Sequence, residues 1–327
     1  MPTVVHVGPI SSPGGIQTVI GTLSAHPPQG WNVETVESHS SGSYLSKLQA
    51  YNKAKQRLEE LINKEDDIIV HLHAASDYSF LRKLRLAEHA SKLGAKIVFQ
   101  IHSGNILSWL GKKDRAKKMK QRLKECKATI VCLSERWREL LTPFLGKCVV
   151  SSNPIDPIHC IDESVERKQN QILLLGRNDE VKGHDFAFEI MREFQKNGSD
   201  LTLHCTGREK APDGLDNVIA HGWVSKEDKV RLLQESSLLI LPSTYEGQPM
   251  VALEALACGT PVLASRALHS LPEGISRPSS DTVESWFESI SSLLGAKVEL
   301  ADELKHHSIE SINSDLLTLY QGLIQSV

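Results

Sequence analysis

The stretch that decides the fold reads SSLLILPSTYEGQPMVALEALACGTPVLAS, from Ser236 to Ser265. Leu238 to Leu241 is an apolar run with the length and composition of a buried strand. Pro242 to Gly247 is turn material. Pro249 falls where a first helical residue would, because its missing N–H has no partner to lose there. Met250 to Ala257 is almost wholly apolar, which predicts a buried helix. Gly259 suits the left-handed position that ends a helix, and Pro261 blocks continuation. Val262 to Ala264 restarts a strand. Strand, loop, helix, strand is the unit of a parallel α/β sheet.

Two carboxylates stand out. Glu246 lies in the loop at the carboxyl end of a strand, where open α/β sheets bind ligands. Glu254 is the only charge in the helix. The amides of Gly247, Gln248, Met250 and Val251 surround the helix start, where free N–H groups and the helix dipole favour an anion. A diphosphate-linked sugar has both an anion and hydroxyls for the carboxylates. Spacing alone equally allows Glu246 to cap the helix and Glu254 to lie on an exposed edge.

The same residues closely resemble the signature of retaining GT-B glycosyltransferases of family 4, a Glu-x7-Glu motif. Glu246, Gly247, Pro249, Glu254, Ala255, Ala257, Gly259, Pro261 and Val262 all match it. The resemblance implies two Rossmann-like, doubly wound α/β domains facing an interdomain cleft. It also implies that Glu254 accepts hydrogen bonds from the donor ribose and that Glu246 faces the transferred sugar.

At 327 residues the chain is about two domains long. A net charge of −3 argues against a nucleic-acid partner. Its six cysteines form no C-x-x-C pair and read as buried thiols of a reducing compartment. No basic-then-apolar leader opens the chain and no apolar run reaches the ~18 residues of a membrane span, so a cytoplasmic protein is expected.

Strands alternate with helices along the first half. Thr3 to Val7 is a strand, followed by Gly8-Pro9, Gly14-Gly15 and a helix with Ile16, Val19, Ile20 and Leu23 at helical spacing. Gly14 and Gly15 let backbone approach a ligand closely, and the family has a paired-glycine loop near the donor phosphate here. Ile68 to Leu72 runs into His73, and Lys96 to Ile101 ends at His102-Ser103-Gly104. His102 could simply cap a strand end; related enzymes place a histidine here against the transferred sugar, with Ser103 and Asn105 as lesser candidates. Asn153 to Pro157 punctuates the chain. The expected domains are 1–157 on the acceptor side and 158–300 for the donor nucleotide sugar, with a helix at 301–327 crossing back to the first.

In the second half, Gly176-Arg177 and Lys182-Gly183 flank a loop after a strand. They fit the family's G-R-x-x-x-x-K-G pattern, and fixed cations there stabilise the charge that grows on a leaving diphosphate. The resemblance therefore implies no metal. His71 and His73 share a strand face, but no third ligand is near in sequence. His221 to Val224 matches the family's nucleobase neighbourhood, so the Gly222 to Val224 backbone is expected to border the base. Ser225, with Asp228 three residues on, predicts a helix cap.

The expected function is transfer of a hexose from a nucleoside-diphosphate sugar to a hydroxyl of a glycan or lipid-linked acceptor, with retention, in surface-glycan or glycolipid assembly. The alternatives are a non-catalytic sugar-nucleotide binder and a GT-B sugar-nucleotide epimerase. The first is raised by a departure from the family: Arg266 to Leu271 replaces its glycine-rich turn before Pro272-Glu273. The second should lack Arg177 and Lys182 ahead of the Glu-x7-Glu motif. One feature lies outside the motifs. Residues 109–125 read WLGKKDRAKKMKQRLKE, a basic helix whose Trp109, Leu110, Met119 and Leu123 supply apolar surface. It suits peripheral binding to the anionic cytoplasmic face of a membrane.

Overall fold

Runs of β-branched and aliphatic residues make two parallel sheets, one in each of two compact units. The computed structural model describes every residue except Ser41, His269, Glu273, 298–303 and 326–327. The first unit is Met1–Pro154 with His307–Val327, and the second is Ile155–His306. The division thus falls a few residues before the expected one at Pro157, inside the same Asn153–Pro157 turn. The expected boundary between 300 and 301 lies outside the described residues, as do His269 and Glu273 of the altered loop.

In the first unit β1 (Thr3–Gly8), β2 (Asn32–Glu37), β3 (Ile68–Ala74), β4 (Lys96–Ile101), β5 (Thr129–Cys132) and β6 (Cys148–Val150) pair in the order β2-β1-β3-β4-β5-β6. Every pair is parallel, so each return crosses by a helix. These helices include α1 (Gly15–Ala25), α2 (Tyr44–Ile62) and α3 (Asp77–Lys92). β1 and β3 are buried throughout, yet they carry His6, His71 and His73.

The basic helix expected from Trp109 onward is broken. α4 (Ile106–Leu110) stops at Gly111, Asp114 adopts φ 58°, and α5 (Arg115–Glu125) starts anew. Trp109, Leu110, Met119 and Leu123 are 5%, 1%, 7% and 1% exposed. They pack into the core with α6 (Glu135–Leu145) residues such as Trp137 and Leu141. The expected apolar membrane-facing surface is therefore absent from these four residues. Lys112, Lys113, Lys117, Lys118, Lys120 and Lys124 remain exposed.

In the second unit β7 (Lys168–Leu174), α7 (His184–Lys196), β8 (Thr202–Cys205), β9 (Val218–Ala220), α8 (Lys226–Glu235), β10 (Ser236–Leu241), α9 (Met250–Ala257), β11 (Val262–Ala264) and α10 (Val283–Leu293) follow in turn. The sheet order is β11-β10-β7-β8-β9, again parallel. Leu253 and Leu256 of α9 are buried in its core, where a fully buried leucine contributes about 1.5–3 kcal/mol. Pro249 precedes the helix instead of opening it. Arg167 ties down the far end, donating to Cys258 O at 3.0 Å and Thr260 Oγ1 at 2.7 Å. The last helix, α11 (Ile309–Gln325), belongs to the first unit, where Tyr320 is fully buried against Trp31 and His71. Five cysteines are buried, and Cys160 is exposed. No helix among the described residues is long and apolar enough to cross a membrane.

Candidate active site

Parallel strands bring the loops after β7, β8 and β10 to one edge of the second sheet. Backbone bonds knit them together. Thr244 N donates to Val181 O at 2.9 Å, joining the β10 loop to a 3-10 turn at Glu180–Lys182. Thr206 Oγ1, after β8, accepts from Gly176 N at 3.0 Å. Gly183 takes φ +73°, and a Cβ on it would lie 2.5 Å from Pro242 O, so only glycine lets the two loops meet.

The turn aims Lys182 at Glu246. Lys182 Nζ is hydrogen-bonded to Glu246 Oε1, and both side chains are about one-fifth exposed. Ser243 Oγ donates to the same oxygen at 3.3 Å. Arg177 is not in this pair. It is exposed, 3.9 Å from Asp179 Oδ2. A cation and a carboxylate from separate loops therefore compensate each other, with a second cation near in sequence and open to solvent. Gly247, Gln248, Pro249 and Met250 are buried and Val251 is half-buried, at the start of α9.

Glu254 does not lie on an exposed edge. It is 1% exposed, and its Oε1 accepts from Lys229 Nζ of α8 at 2.6 Å. His159 Nε2 lies 3.8 Å from the same oxygen. Glu254 Oε2 and His159 Nε2 are buried with no hydrogen-bond partner among the described residues. An unmet buried polar atom costs about 1–3 kcal/mol, which a ligand hydroxyl or a water would recover. Burial holds the His159 imidazole below its ordinary pKa, against the pull of Glu254. Gly222 is buried and Val224 half-buried in the loop after β9. That loop is fixed to the β8 loop, with Gly207 N donating to Gly222 O at 2.7 Å. Ser225 caps α8 through Asp228 N at 3.0 Å, and its hydroxyl donates to the Asp228 carboxylate at 2.8 Å.

In the first unit Gly14, at φ 153°, leads into α1, which begins at Gly15. Glu37 at the end of β2 holds this loop: its Oε2 accepts from Ile10 N at 2.8 Å and from Ser11 N and Oγ at 2.7 Å each. Burial pushes the Glu37 carboxyl up, but these bonds and one from His39 N hold it below its usual range. His102 is half-buried just beyond β4, its Nε2 3.0 Å from His73 Nδ1. Asn105 leads into α4, and its N donates to Ser103 Oγ at 3.2 Å.

His6, His71 and His73 each offer a nitrogen within 4.8 Å of the others, so His6 is the third member that sequence spacing does not show. Register creates the group by pairing His6 with His71 across β1 and β3. A cation fits poorly. Both nitrogens of His71 have partners in Tyr320 and Gln100, and both nitrogens of His73 have partners in His6 and His102.

The structure thus joins Lys182 to Glu246 and leaves Arg177 apart. Ser243, Lys229 and His159 in the second unit, and Glu37 in the first, are additions that the sequence reading missed. Of these, Lys229 had a usable signal: a lone carboxylate in an apolar helix needs a buried partner.

Residues 169–296, which lie in the second unit, match the model of the family described as Glycosyl transferases group 1. Over 302 residues the chain is 24% identical to a 41.2 kDa protein of the cps region of Klebsiella pneumoniae, covering 80% of each. Sucrose-phosphate synthase from Thermosynechococcus elongatus shares the GT-B fold at TM-score 0.72 and 16% identity, over the full length of both chains. A mutant of S. aureus TarM in complex with fondaparinux, alpha-GlcNAc-glycerol and UDP aligns at TM-score 0.65 and 17% identity. That match covers 85% of this chain and 59% of TarM.

Proposed function

We propose that the chain is a retaining, family-4-like glycosyltransferase that moves a hexose from a nucleoside-diphosphate sugar to an acceptor hydroxyl in surface-glycan or glycolipid assembly. The observation that carries this reading is the Lys182–Glu246 pair, formed by loops from two strands at one sheet edge. The TarM complex with UDP and the cps-region relative support the donor and glycan classes.

In this reading the diphosphate competes with Glu246 for Lys182, and Arg177 swings in as the second cation. The C1–O bond to phosphate breaks with its electron pair on the phosphate oxygen. The acceptor oxygen bonds to C1 from the same face, and its proton passes to the leaving oxygen. Lys182 and Arg177 stabilise the growing diphosphate charge, the work a metal does elsewhere, so no metal is called on. Glu246, released, faces the sugar; on the first unit, His102 is read as a contact of the transferred sugar. Glu254 keeps Lys229 on Oε1 and receives ribose hydroxyls on Oε2. In the second unit the start of α9 lines the donor and the Gly222–Val224 backbone borders the base; in the first unit Gly14 and Gly15 are read as donor-facing. The exposed lysines of 112–124 draw the protein to an anionic cytoplasmic leaflet.

A thermal-shift screen against UDP- and GDP-hexoses tests the donor class. A ligand at 100 times its Kd adds about 2.7 kcal/mol. No stabilisation by any of them would remove the reading.

A further inference from the structure

Three imidazoles of the first unit form one hydrogen-bonded line. His6 Nδ1 is 3.0 Å from His73 Nε2, and His73 Nδ1 is 3.0 Å from His102 Nε2. His6 and His73 are 1% and 0% exposed. The described residues hold no hydrogen-bond partner for the outer nitrogen of His102, Nδ1. Burial is the leading cause keeping these rings neutral, pushing His6 down to about 4, His102 to about 3 and His73 well below its ordinary value.

A neutral imidazole carries one N–H, and each contact needs one donor and one acceptor. Two arrangements satisfy both contacts. In one, His6 and His73 donate outward through Nδ1, and His102 is left with its proton on Nδ1. In the other, His102 and His73 donate inward through Nε2, and His102 Nδ1 becomes an acceptor. Intermediate arrangements bring two N–H groups, or two lone pairs, face to face. The neighbouring His71 has no such freedom. Ser151 O only accepts, so Gln100 donates to it at 3.2 Å and turns its Oε1 to His71 Nε2 at 3.0 Å. His71 Nδ1 then accepts from the Tyr320 hydroxyl at 2.7 Å. Its ring stacks on His73 at 4.4 Å and holds that ring's plane.

We propose that His73 and His6 are positioning residues that set which nitrogen of His102 is protonated, the three rings switching together to offer a sugar hydroxyl either a donor or an acceptor. The proposal rests on the reading of His102 as a contact of the transferred sugar. A hydroxyl does either job, so the line adapts to the orientation the sugar takes without placing a charge in the core.

The test is nitrogen-proton correlation NMR on the whole chain labelled with 15N-histidine, which reads the protonated nitrogen of each ring. His71 should be protonated on Nε2 alone, and His73 and His102 should show the same degree of Nδ1 protonation. In H6F the His73 Nε2 loses its partner. A buried N–H without an acceptor is worse than a bare nitrogen, so both rings should move fully to Nδ1–H. H6N, whose amide stands where Nδ1 stood, should restore the wild-type proportions. Should H6F fail to fold, the wild-type and H6N spectra still decide. Different protonation at His73 and His102, or His102 held on Nε2–H in H6F, would overturn the proposal. So would one equivalent of zinc chloride shifting His6, His71 and His73 together, since that marks a metal centre. These readouts need no donor: coupled rings in a protein that turns over no nucleotide sugar would sink the functional reading alone.

Discussion

Lys229 Nζ lies 2.6 Å from Glu254 Oε1, and the carboxylate it meets is 1% exposed. A residue of α8 therefore holds the one charge of an apolar helix. Removing one partner of a buried pair leaves the other uncompensated, which destabilises by roughly 3–5 kcal/mol. K229A should lose about 3 kcal/mol in urea unfolding, since Lys229 keeps some solvent contact. E254Q should lose less, and the double variant less than the sum of the two. Additive losses would show that the pair is not coupled.

The two glutamates should separate kinetically. E254Q should chiefly weaken nucleotide binding, because a ribose acceptor is lost. E246Q should chiefly lower turnover while nucleotide binding holds or tightens, because Lys182 no longer has a competing carboxylate. Identical kinetic signatures for the two would count against distinct roles.

Arg177 and Lys182 should act mainly in the transition state, where the diphosphate gains charge. R177A and K182A should each lower kcat at least tenfold and change nucleotide affinity less. Full activity in both would show that the phosphate is held elsewhere. Transfer should also persist in EDTA. Abolition by chelation, with recovery on manganese or magnesium, would replace the cation reading with a metal.

Stability should fall below neutral pH. Burial lowers His6 to about 4 and His102 to about 3 in the folded chain, against an ordinary value near 6.5. The unfolded chain takes up these protons first, so the stabilisation is complete above about 6.5 and is lost as pH falls toward those folded values. The slope is ~1.4 kcal/mol per pH unit for each such ring. Lys83, buried and lowered to about 7, is charged in both states below that value and leaves the slope unchanged. Urea midpoints at pH 7.5, 6 and 5 would read the decline, and equal midpoints would contradict it.

Membrane attraction, with Trp109, Leu110, Met119 and Leu123 in the core, should be electrostatic and fully reversed by salt. Each exposed lysine near an anionic surface contributes about 1 kcal/mol. Co-sedimentation should occur with anionic vesicles and vanish when Lys117, Lys118 and Lys120 become glutamate. Equal binding to neutral vesicles would contradict it.

The strand, loop and helix around Glu246 were legible because Pro249, Gly259 and Pro261 punctuate a short apolar segment, and local punctuation survives into the fold. The break before α5 was not, because the chain turns through a left-handed Asp114, a residue that equally suits a helix start. Lys229 and Glu254 are 25 residues apart, and His6 and His71 meet only through strand register. Long-range pairings of that kind have no periodicity to read. The same limit hid Glu37, whose role depends on where the Ile10–Ser11 loop returns.

The most direct test of the central claim is nucleoside-diphosphate release from a panel of UDP- and GDP-hexoses, read alongside the anomeric configuration of any glycoside formed. One donor should be turned over with retained configuration, and E246Q should slow the release. Inverted product, or no release from any donor by the folded protein, would contradict it.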